Sequence, residues 1–157
     1  MRRRAIEVMR AELVGRASEL DALAQHMPRP GLLTVIGPPG AGKTRLAREV
    51  LSRQKDGMLC DLAGARSADD VAARVADEIG IELGNDEDPF ERIGRMLGER
   101  EGTVLVLDGA ERVARELGAL VRVWLSAAPD LALCVTSRER LRVEGELTIE
   151  LGPLPME

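Results

Sequence analysis

Aromatic side chains are almost absent from this chain, whose 157 residues include one Phe, one Trp and no Tyr. A surface that binds nucleic acid by stacking bases needs aromatic rings, so the chain lacks the means for that mode of binding. Its net charge of −5 also argues against a general basic surface for phosphate backbones. We therefore expect no direct nucleic-acid binding by this domain, a core built from Leu, Val, Ile and Ala, and a buried Trp124.

Cysteine, histidine and long apolar runs are also scarce. Cys60 and Cys134 lie within short apolar segments that read as strands, which indicates small buried side chains in a reducing compartment. The single histidine, His26, stands at the end of a predicted helix, so the neighbours for a zinc site or a reactive thiol are missing. No stretch is long enough to span a membrane, and no apolar leader follows the basic Met1–Arg4. These absences predict a cytoplasmic protein with no membrane partner.

The most informative segment that is present is Gly37–Thr44, which reads GPPGAGKT and directly follows the apolar run Gly31–Ile36. This is the G-x-x-x-x-G-K-[ST] phosphate-binding loop, or P-loop, in its expected place between a strand and a helix. Its glycines allow backbone N–H groups to face phosphates, Lys43 can reach the β- and γ-phosphates, and the Thr44 hydroxyl can bind Mg²⁺. The predicted nucleotide-binding residues here are Gly37, Pro38, Pro39, Gly40, Ala41, Gly42, Lys43, Thr44 and Arg45.

Strand-like and helix-like segments alternate along the whole chain. This alternation predicts an α/β fold, a three-layer α/β/α sandwich around a mainly parallel five-stranded sheet. We expect one domain over residues 1–157, with an N-terminal helical segment at 1–30 and a P-loop core at 31–155. The predicted strands are Gly31–Ile36, Gly57–Leu62, Thr103–Leu107, Leu131–Thr136 and Leu147–Leu151. The predicted helices are Ser18–Gln25, Lys43–Arg53, one from the cap Ser67 to Gly80, Phe90–Gly98 and Glu111–Ala127. Ser18 with Asp21 predicts a cap at the start of the first helix, and Asp88 with Pro89 predicts a cap before Phe90.

A second element of a Mg-nucleotide site follows from the run Val104–Asp108. It is an apolar strand with a carboxylate at its C-terminal end, the end at which parallel sheets bind ligands. Asp108 is the predicted partner of Thr44 in holding Mg²⁺. Glu111 follows three residues later and has two interpretations that the sequence leaves open. It is either the group that activates water for hydrolysis or a helix-terminal glutamate stabilised by the helix dipole.

The strand Leu131–Thr136 leads into Ser137 and Arg138. A guanidinium at this strand end could contact the γ-phosphate and report its presence, a role that matters greatly in nucleotide hydrolases. The alternative is a solvated loop arginine, one of a group with Arg140 and Arg142. Spacing alone leaves both interpretations open.

Together these motifs resemble the nucleotide-binding domain of the signal-transduction ATPases of the STAND class. Leu13–Glu19 resembles the "hhGRxxE" element that precedes their P-loop, and Val35–Ala47, Val104–Val113 and Leu133–Leu141 resemble their P-loop, Mg-binding strand and "TSR" sensor strand in the same order. The similarity is greatest to the ATPase module of bacterial antibiotic regulators and large LuxR-like transcription factors. The resemblance implies an AAA-related sheet and ATP, ADP and Mg²⁺ as cofactors. It also implies that Val14, Gly15 and Arg16 lie near the adenine or ribose and that Arg138 contacts the γ-phosphate.

The sequence departs from this family in two respects. Many members carry a polar or acidic residue immediately after the Mg-binding Asp, where this chain has Gly109. The family also continues into a helical lid and a winged-helix domain beyond the position of Pro155–Glu157. We therefore expect an excised domain whose partners are the nucleotide, the lid and sensor domains of a parent chain, and a nucleotide-dependent homo-oligomer.

These features lead to one principal hypothesis, a regulatory ATP/ADP switch with slow hydrolysis. Its catalytic residues would be Lys43, Asp108, Glu111 and Arg138. One alternative is a nucleotide-binding scaffold without turnover, which Gly109 favours. Another is a small-molecule kinase of the P-loop class, in which Arg92, Arg95 and Arg100 would form a basic lid unless they are merely a solvated helix face.

Overall fold

The computed structural model of the chain describes residues 17–27 and 29–152. Within these residues the chain forms five helices and five strands, which alternate except that two helices separate β2 from β3 and no helix separates β4 from β5. The strands are β1 (Gly31–Ile36), β2 (Gly57–Asp61), β3 (Val104–Asp108), β4 (Ala132–Ser137) and β5 (Leu147–Glu150). The helices are α1 (Ala17–His26), α2 (Lys43–Leu51), α3 (Ala68–Ile79), α4 (Pro89–Gly98) and α5 (Ala114–Ala127).

The five strands form one sheet in the order β2-β3-β4-β1-β5, and every neighbouring pair is parallel. Strand β4 lies between β1 and β3, with Val35 opposite Thr136 and Leu107 opposite Val135. All five strands therefore end at the same edge of the sheet, where the P-loop follows β1. The predicted P-loop α/β sandwich with a parallel five-stranded sheet is confirmed.

Alternate residues of the inner strands pack on opposite faces of the sheet, as the two-residue period of a strand requires. One face buries Leu105, Leu107 and Leu133 beneath α3, α4 and α5. The other buries Val104 and Val106, with Cys134, beneath α1 and α2. Helices thus cover both faces, which is why the strands read as continuous apolar runs.

Helix boundaries follow the predicted capping residues in the middle of the chain. The Ser67 side chain accepts a hydrogen bond from the Asp70 N–H at 3.1 Å and begins α3, while Gly80 ends it with φ +78°. Asp88 accepts from the Phe90 N–H at 2.8 Å and precedes the proline at the start of α4. Each of these ends is set by a short-range side-chain cap or by a glycine in the left-handed region, so the sequence could reveal them.

Two predicted helix starts differ from the structure. Helix α5 begins at Ala114 rather than Glu111, because residues 111–113 form a turn in which the Val113 N–H bonds to the Ala110 carbonyl at 3.0 Å. Helix α1 already includes Ala17, and the Ser18 hydroxyl donates to Glu19 instead of capping the helix. The cap predicted at Ser18 is therefore wrong.

The predicted core residues are buried. Trp124 is 0% exposed, and its indole N–H donates to the Phe90 carbonyl at 3.1 Å. Cys60 and Cys134 are both buried and unpaired. Burial raises the pKa of each thiol to about 12, with nearby acidic groups, Glu78 for Cys60 and Asp108 for Cys134, adding to the effect. They are inert apolar side chains, as predicted.

Candidate functional site

A cleft of about 1060 Å³ opens at the C-terminal edge of the sheet, beside the start of α2. It combines the P-loop, the first two turns of α2 and the ends of β2 and β3. Nine of the residues that line it are predicted binding or catalytic residues: Pro39, Gly40, Ala41, Gly42, Lys43, Thr44, Arg45, Asp108 and Glu111. Residues that lie far apart in the sequence are thus brought to one site.

The P-loop backbone depends on glycine at particular positions. Gly40 and Gly42 have φ values of +79° and +90°, a region that other residues rarely adopt. At Gly37 the requirement is space, because a Cβ atom would lie 2.9 Å from the Leu151 carbonyl oxygen. Gly42 caps α2 without any side-chain hydrogen bond. No cap side chain thus stands between the positive end of the helix dipole and the cleft, an arrangement suited to an anion.

Lys43 reaches back across this loop. Its ammonium donates to the carbonyl of Gly37 and lies 3.4 Å from that of Pro38. These two P-loop residues do not line the cleft, and they contact Lys43 through their backbone. It also lies 3.5 Å from Glu111 Oε1. The Lys43 side chain is only 9% exposed. A mostly buried cation beside an open helix end makes this part of the cleft suitable for phosphate.

Thr44 and Asp108 meet beside Lys43. The Thr44 hydroxyl lies 2.9 Å from each carboxylate oxygen of Asp108, which is 8% exposed. A second hydroxyl, of Thr136 at the end of β4, donates to Asp108 Oδ1 at 2.5 Å and accepts from the Gly109 N–H at 2.8 Å. A fixed carboxylate and hydroxyl are oxygen ligands suited to Mg²⁺, which takes few protein ligands and completes its shell with water and phosphate. The described residues contain no group of three or more His, Cys, Asp or Glu side chains that could hold a metal by themselves.

Thr136 and Asp61 are among the residues at this site for which the sequence predicted no role. Thr136 received no role, although it orients Asp108 and its carbonyl accepts the Ala110 N–H at 3.0 Å. Asp61 ends β2 opposite Asp108, lines the cleft and accepts a hydrogen bond from the Ala63 N–H at 2.9 Å. The sequence signal that could have identified both residues is a polar side chain at the C-terminal end of an apolar strand.

Gly109 has φ +80°, in the left-handed region. A Cβ atom there would meet the Ala63 nitrogen only at 3.6 Å, so conformation rather than space favours glycine at this position. The chain then turns through residues 111–113 before α5. The Glu111 carboxylate thereby reaches the cleft and Lys43.

Arg138 lies just outside this cleft. It is exposed and lines an adjoining depression of about 770 Å³ that shares Ala63, Gly109 and Glu111 with the cleft. Within the described ranges its guanidinium has no hydrogen-bond or ion-pair partner. The predicted γ-phosphate contact of Arg138 stays a prediction.

Other predicted residues lie elsewhere. Val14, Gly15 and Arg16 fall outside the described residues. The arginines considered for a kinase lid have structural contacts instead. Arg92 and Arg95 bind Glu87 at 3.1 and 2.7 Å, with the guanidinium of Arg95 lowering the pKa of Glu87, and Arg100 donates to the Ile79 carbonyl at 2.7 Å. None of the three lines the P-loop cleft.

Among the described residues, no helix is both long and apolar enough to cross a bilayer.

Comparison with known proteins places this site in a wider context. A protein of Mycobacterium tuberculosis named "Putative HTH-type transcriptional regulator" is 35% identical over 120 residues, which are 74% of this chain and 14% of that protein. A protein of the same name from Mycobacterium bovis matches equally. The chain thus spans about one seventh of the length of these relatives.

Two solved structures share the fold at low identity. Cdc6p from Pyrobaculum aerophilum matches 88% of this chain and 45% of its own, with a TM-score of 0.70 and 18% identity. A STAND protein with a tetratricopeptide repeat sensor from Pyrococcus horikoshii matches 92% of this chain and 23% of its own, with a TM-score of 0.59 and 20% identity. A family model described as "AAA domain" matches residues 26–140. Since this match includes the P-loop, Asp108 and Arg138, the chain belongs to the AAA domain family.

Proposed function

We propose that this domain binds ATP and ADP with Mg²⁺ and acts as a regulatory switch of the STAND class, with slow hydrolysis. The observation that carries the proposal is the convergence of Lys43, Thr44 and Asp108 in one cleft beside an uncapped helix N-terminus. Lys43 would exchange its carbonyl and Glu111 contacts for the β- and γ-phosphates. Thr44 and Asp108 would hold Mg²⁺, which supplies charge neutralisation between the phosphates.

The strand order supports a role for Arg138 in recognising the γ-phosphate. Strand β4 lies between the P-loop strand and the Asp108 strand, and its last carbonyl, that of Ser137, accepts the Gly37 N–H at 3.1 Å. Arg138 follows at once and faces a depression that joins the cleft. A guanidinium placed there would bind ATP and ADP unequally. Such a difference in affinity is what a nucleotide needs to shift a conformational equilibrium.

Slow turnover is proposed because the cleft offers few side chains that could activate water. Gly109 offers no side chain beside Asp108, and the nearest carboxylate that follows it in sequence, Glu111, is engaged with Lys43. Once phosphate draws Lys43 away, Glu111 would become free to orient water. If it does not, the domain is the non-hydrolysing scaffold, which remains the second candidate because of Gly109. The kinase alternative loses its support, since its three arginines have structural contacts elsewhere.

The wider setting is proposed from the relatives. Both carry the name "Putative HTH-type transcriptional regulator", and the match covers only 14% of their length. We propose that the domain works in the cytoplasm within such a regulator, where the bound nucleotide biases packing against lid and sensor domains. A nucleotide-dependent homo-oligomer would then carry the signal, with DNA contacted by other domains. Val14, Gly15 and Arg16 would hold the adenosine end of the nucleotide.

Titration calorimetry of the purified chain with ADP and with ATPγS tests the proposal. We expect Lys43→Ala to weaken both ligands by about tenfold or more, since a charged hydrogen bond contributes roughly 1.5–3 kcal/mol. Arg138→Ala should weaken ATPγS more than ADP. Arg29→Ala, an exposed arginine outside the cleft, serves as the control.

Phosphate release then separates the switch from the scaffold. A slow rate that Glu111→Gln reduces supports hydrolysis, whereas nucleotide binding without any release identifies the scaffold. Absence of binding in the wild-type chain would refute both.

A further inference from the structure

Glu146 lies just before β5 and accepts hydrogen bonds from two separate parts of the fold. Its Oε2 accepts from the Thr34 hydroxyl at 2.5 Å and from the Leu141 N–H at 2.9 Å. Its Oε1 accepts from the Arg142 N–H at 3.1 Å. Both carboxylate oxygens are therefore engaged, and one side chain joins strand β1 to the loop that follows β4.

The backbone of this loop is shaped to receive a carboxylate. Arg142 has φ +63° and is the one non-glycine residue with a positive φ in the described ranges. This conformation is unfavourable for a residue with a Cβ atom. The consecutive N–H groups of Leu141 and Arg142 both donate to the Glu146 carboxylate, in the manner of an anion-binding backbone concavity. Glu146 supplies that anion, so its charge stabilises a loop conformation that Arg142 would otherwise disfavour.

The other end of this contact lies in the P-loop strand. Thr34 is 0% exposed and stands on β1, three residues before Gly37 begins the P-loop. A buried hydroxyl without a partner is costly, and the Glu146 carboxylate removes that cost. Glu146 thus ties the loop to the strand that presents the P-loop.

The same loop begins with Arg138. Strand β4 ends at Ser137, and the exposed residues 138–140 separate it from Leu141, which is 6% exposed and belongs to the core. Three residues span at most about 10 Å, so fixing both ends of this segment restricts where Arg138 can lie.

From these contacts we infer that Glu146 is a positioning residue for Arg138: by tying the 138–142 loop to the P-loop strand, it sets the preference of the site for ATP over ADP. The inference rests on the proposed function, because it deepens the γ-phosphate role given there to Arg138. Glu146 acts only through the loop and contacts no nucleotide.

Glu146→Gln is the informative substitution. A glutamine has one acceptor oxygen, whereas Leu141 and Arg142 each need one on opposite sides of the carboxylate. In either amide orientation an NH₂ group faces a backbone N–H, so one of the two bonds is lost. Glu144→Gln is the matched control, since it makes the same charge change in the same loop at an exposed residue.

The preference for ATP is measured on the whole chain as the dissociation constant of ADP divided by that of ATPγS. We expect Glu146→Gln to lower this ratio by about fivefold, the equivalent of one ordinary hydrogen bond, with ADP affinity unchanged. The double variant with Arg138→Ala should be no worse than Arg138→Ala alone, because both act through one guanidinium. Amide hydrogen exchange without nucleotide should also be faster at Leu141 and Arg142.

Thr34→Val is a milder second variant that removes one donor to Glu146 at similar side-chain volume. It should lower the preference in the same direction by a smaller factor.

Three results would overturn the inference. The first is an unchanged preference in Glu146→Gln while Arg138→Ala lowers the preference. The second is additive effects of the two substitutions in the double variant. The third is an equal loss of ADP and ATPγS affinity in Glu146→Gln, which would report only structural damage. If Arg138→Ala itself leaves the preference unchanged, the γ-phosphate step of the proposed function fails as well. The weaker binding of both ligands expected in Lys43→Ala does not depend on these outcomes, so the two failures are distinguishable.

Discussion

The Thr44 hydroxyl lies 2.9 Å from both carboxylate oxygens of Asp108, although the two residues are 64 positions apart. Thr44 lies in the first turn of helix α2 and Asp108 ends strand β3. Strand β4, with Thr136, lies between β1 and β3. Thr136 donates to the same carboxylate. The candidate Mg²⁺ ligands are therefore oriented by hydrogen bonds among themselves before any metal binds.

Asp108→Asn should remove most of the effect of Mg²⁺ on ATP binding. An asparagine is neutral and presents an NH₂ group where a second oxygen stood, so it is a poorer ligand for a hard cation. We expect ATPγS affinity in Mg²⁺ to fall by about tenfold or more, with little change in EDTA. Titration calorimetry in the two buffers measures this difference.

Asp61→Asn is the control for this prediction, because Asp61 lines the same cleft on the neighbouring strand. If both variants lose the same Mg²⁺ dependence, the assignment of the metal to Asp108 is wrong.

Gly109→Ala should destabilise the domain although there is room for the methyl group. The nearest atom would lie at 3.6 Å, but φ is +80°, and this conformation costs a residue with a Cβ atom roughly 1–2 kcal/mol. Urea denaturation should show that loss in the free energy of unfolding. Gly84→Ala has as much space without a positive φ and should change stability little. Equal effects at the two glycines would contradict the conformational explanation.

Alkaline pH should weaken the fold through its buried cysteines. In the folded chain the pKa of each thiol is raised from the ordinary value of 9.0 to about 12. The unfolded chain therefore loses thiol protons first as the pH rises, so this contribution to stability is complete below pH 9 and is lost between pH 9 and 12.

Denaturant titrations from pH 8 to pH 10.5 measure this dependence. A variant with Cys60→Ala and Cys134→Ala is expected to be less stable at pH 8 because of the cavities it creates, but to lose stability less steeply with pH. Identical slopes in the two proteins would show that the cysteines do not contribute.

The parts of the site that the sequence predicted depend on residues that are close together in the sequence. The P-loop is eight consecutive residues, Gly37–Thr44, and its chemistry depends on local backbone freedom and on the following helix. Asp108 was predictable because it ends an apolar run, and the caps at Ser67 and Asp88 act within their own turns. The family resemblance added an AAA-related sheet and, for Arg138, the choice of a γ-phosphate contact over a solvated loop arginine.

The remaining features depend on contacts between distant segments. Thr136 orients Asp108 because β4 pairs with both β1 and β3, and Glu146 reaches Thr34 across 112 positions. The positive φ of Gly109 and of Arg142, and the turn that delays α5 to Ala114, are likewise set by what surrounds them.

The sequence by itself determined the α/β fold, the P-loop motif between a strand and a helix, and a carboxylate at the end of a second strand, because local motifs and periodicity encode these. The tertiary structure decided which side chains share the cleft and which hold one another in place. Five apolar strands can pair in many orders, and only their packing between two layers of helices selects the order that places β4 beside the P-loop.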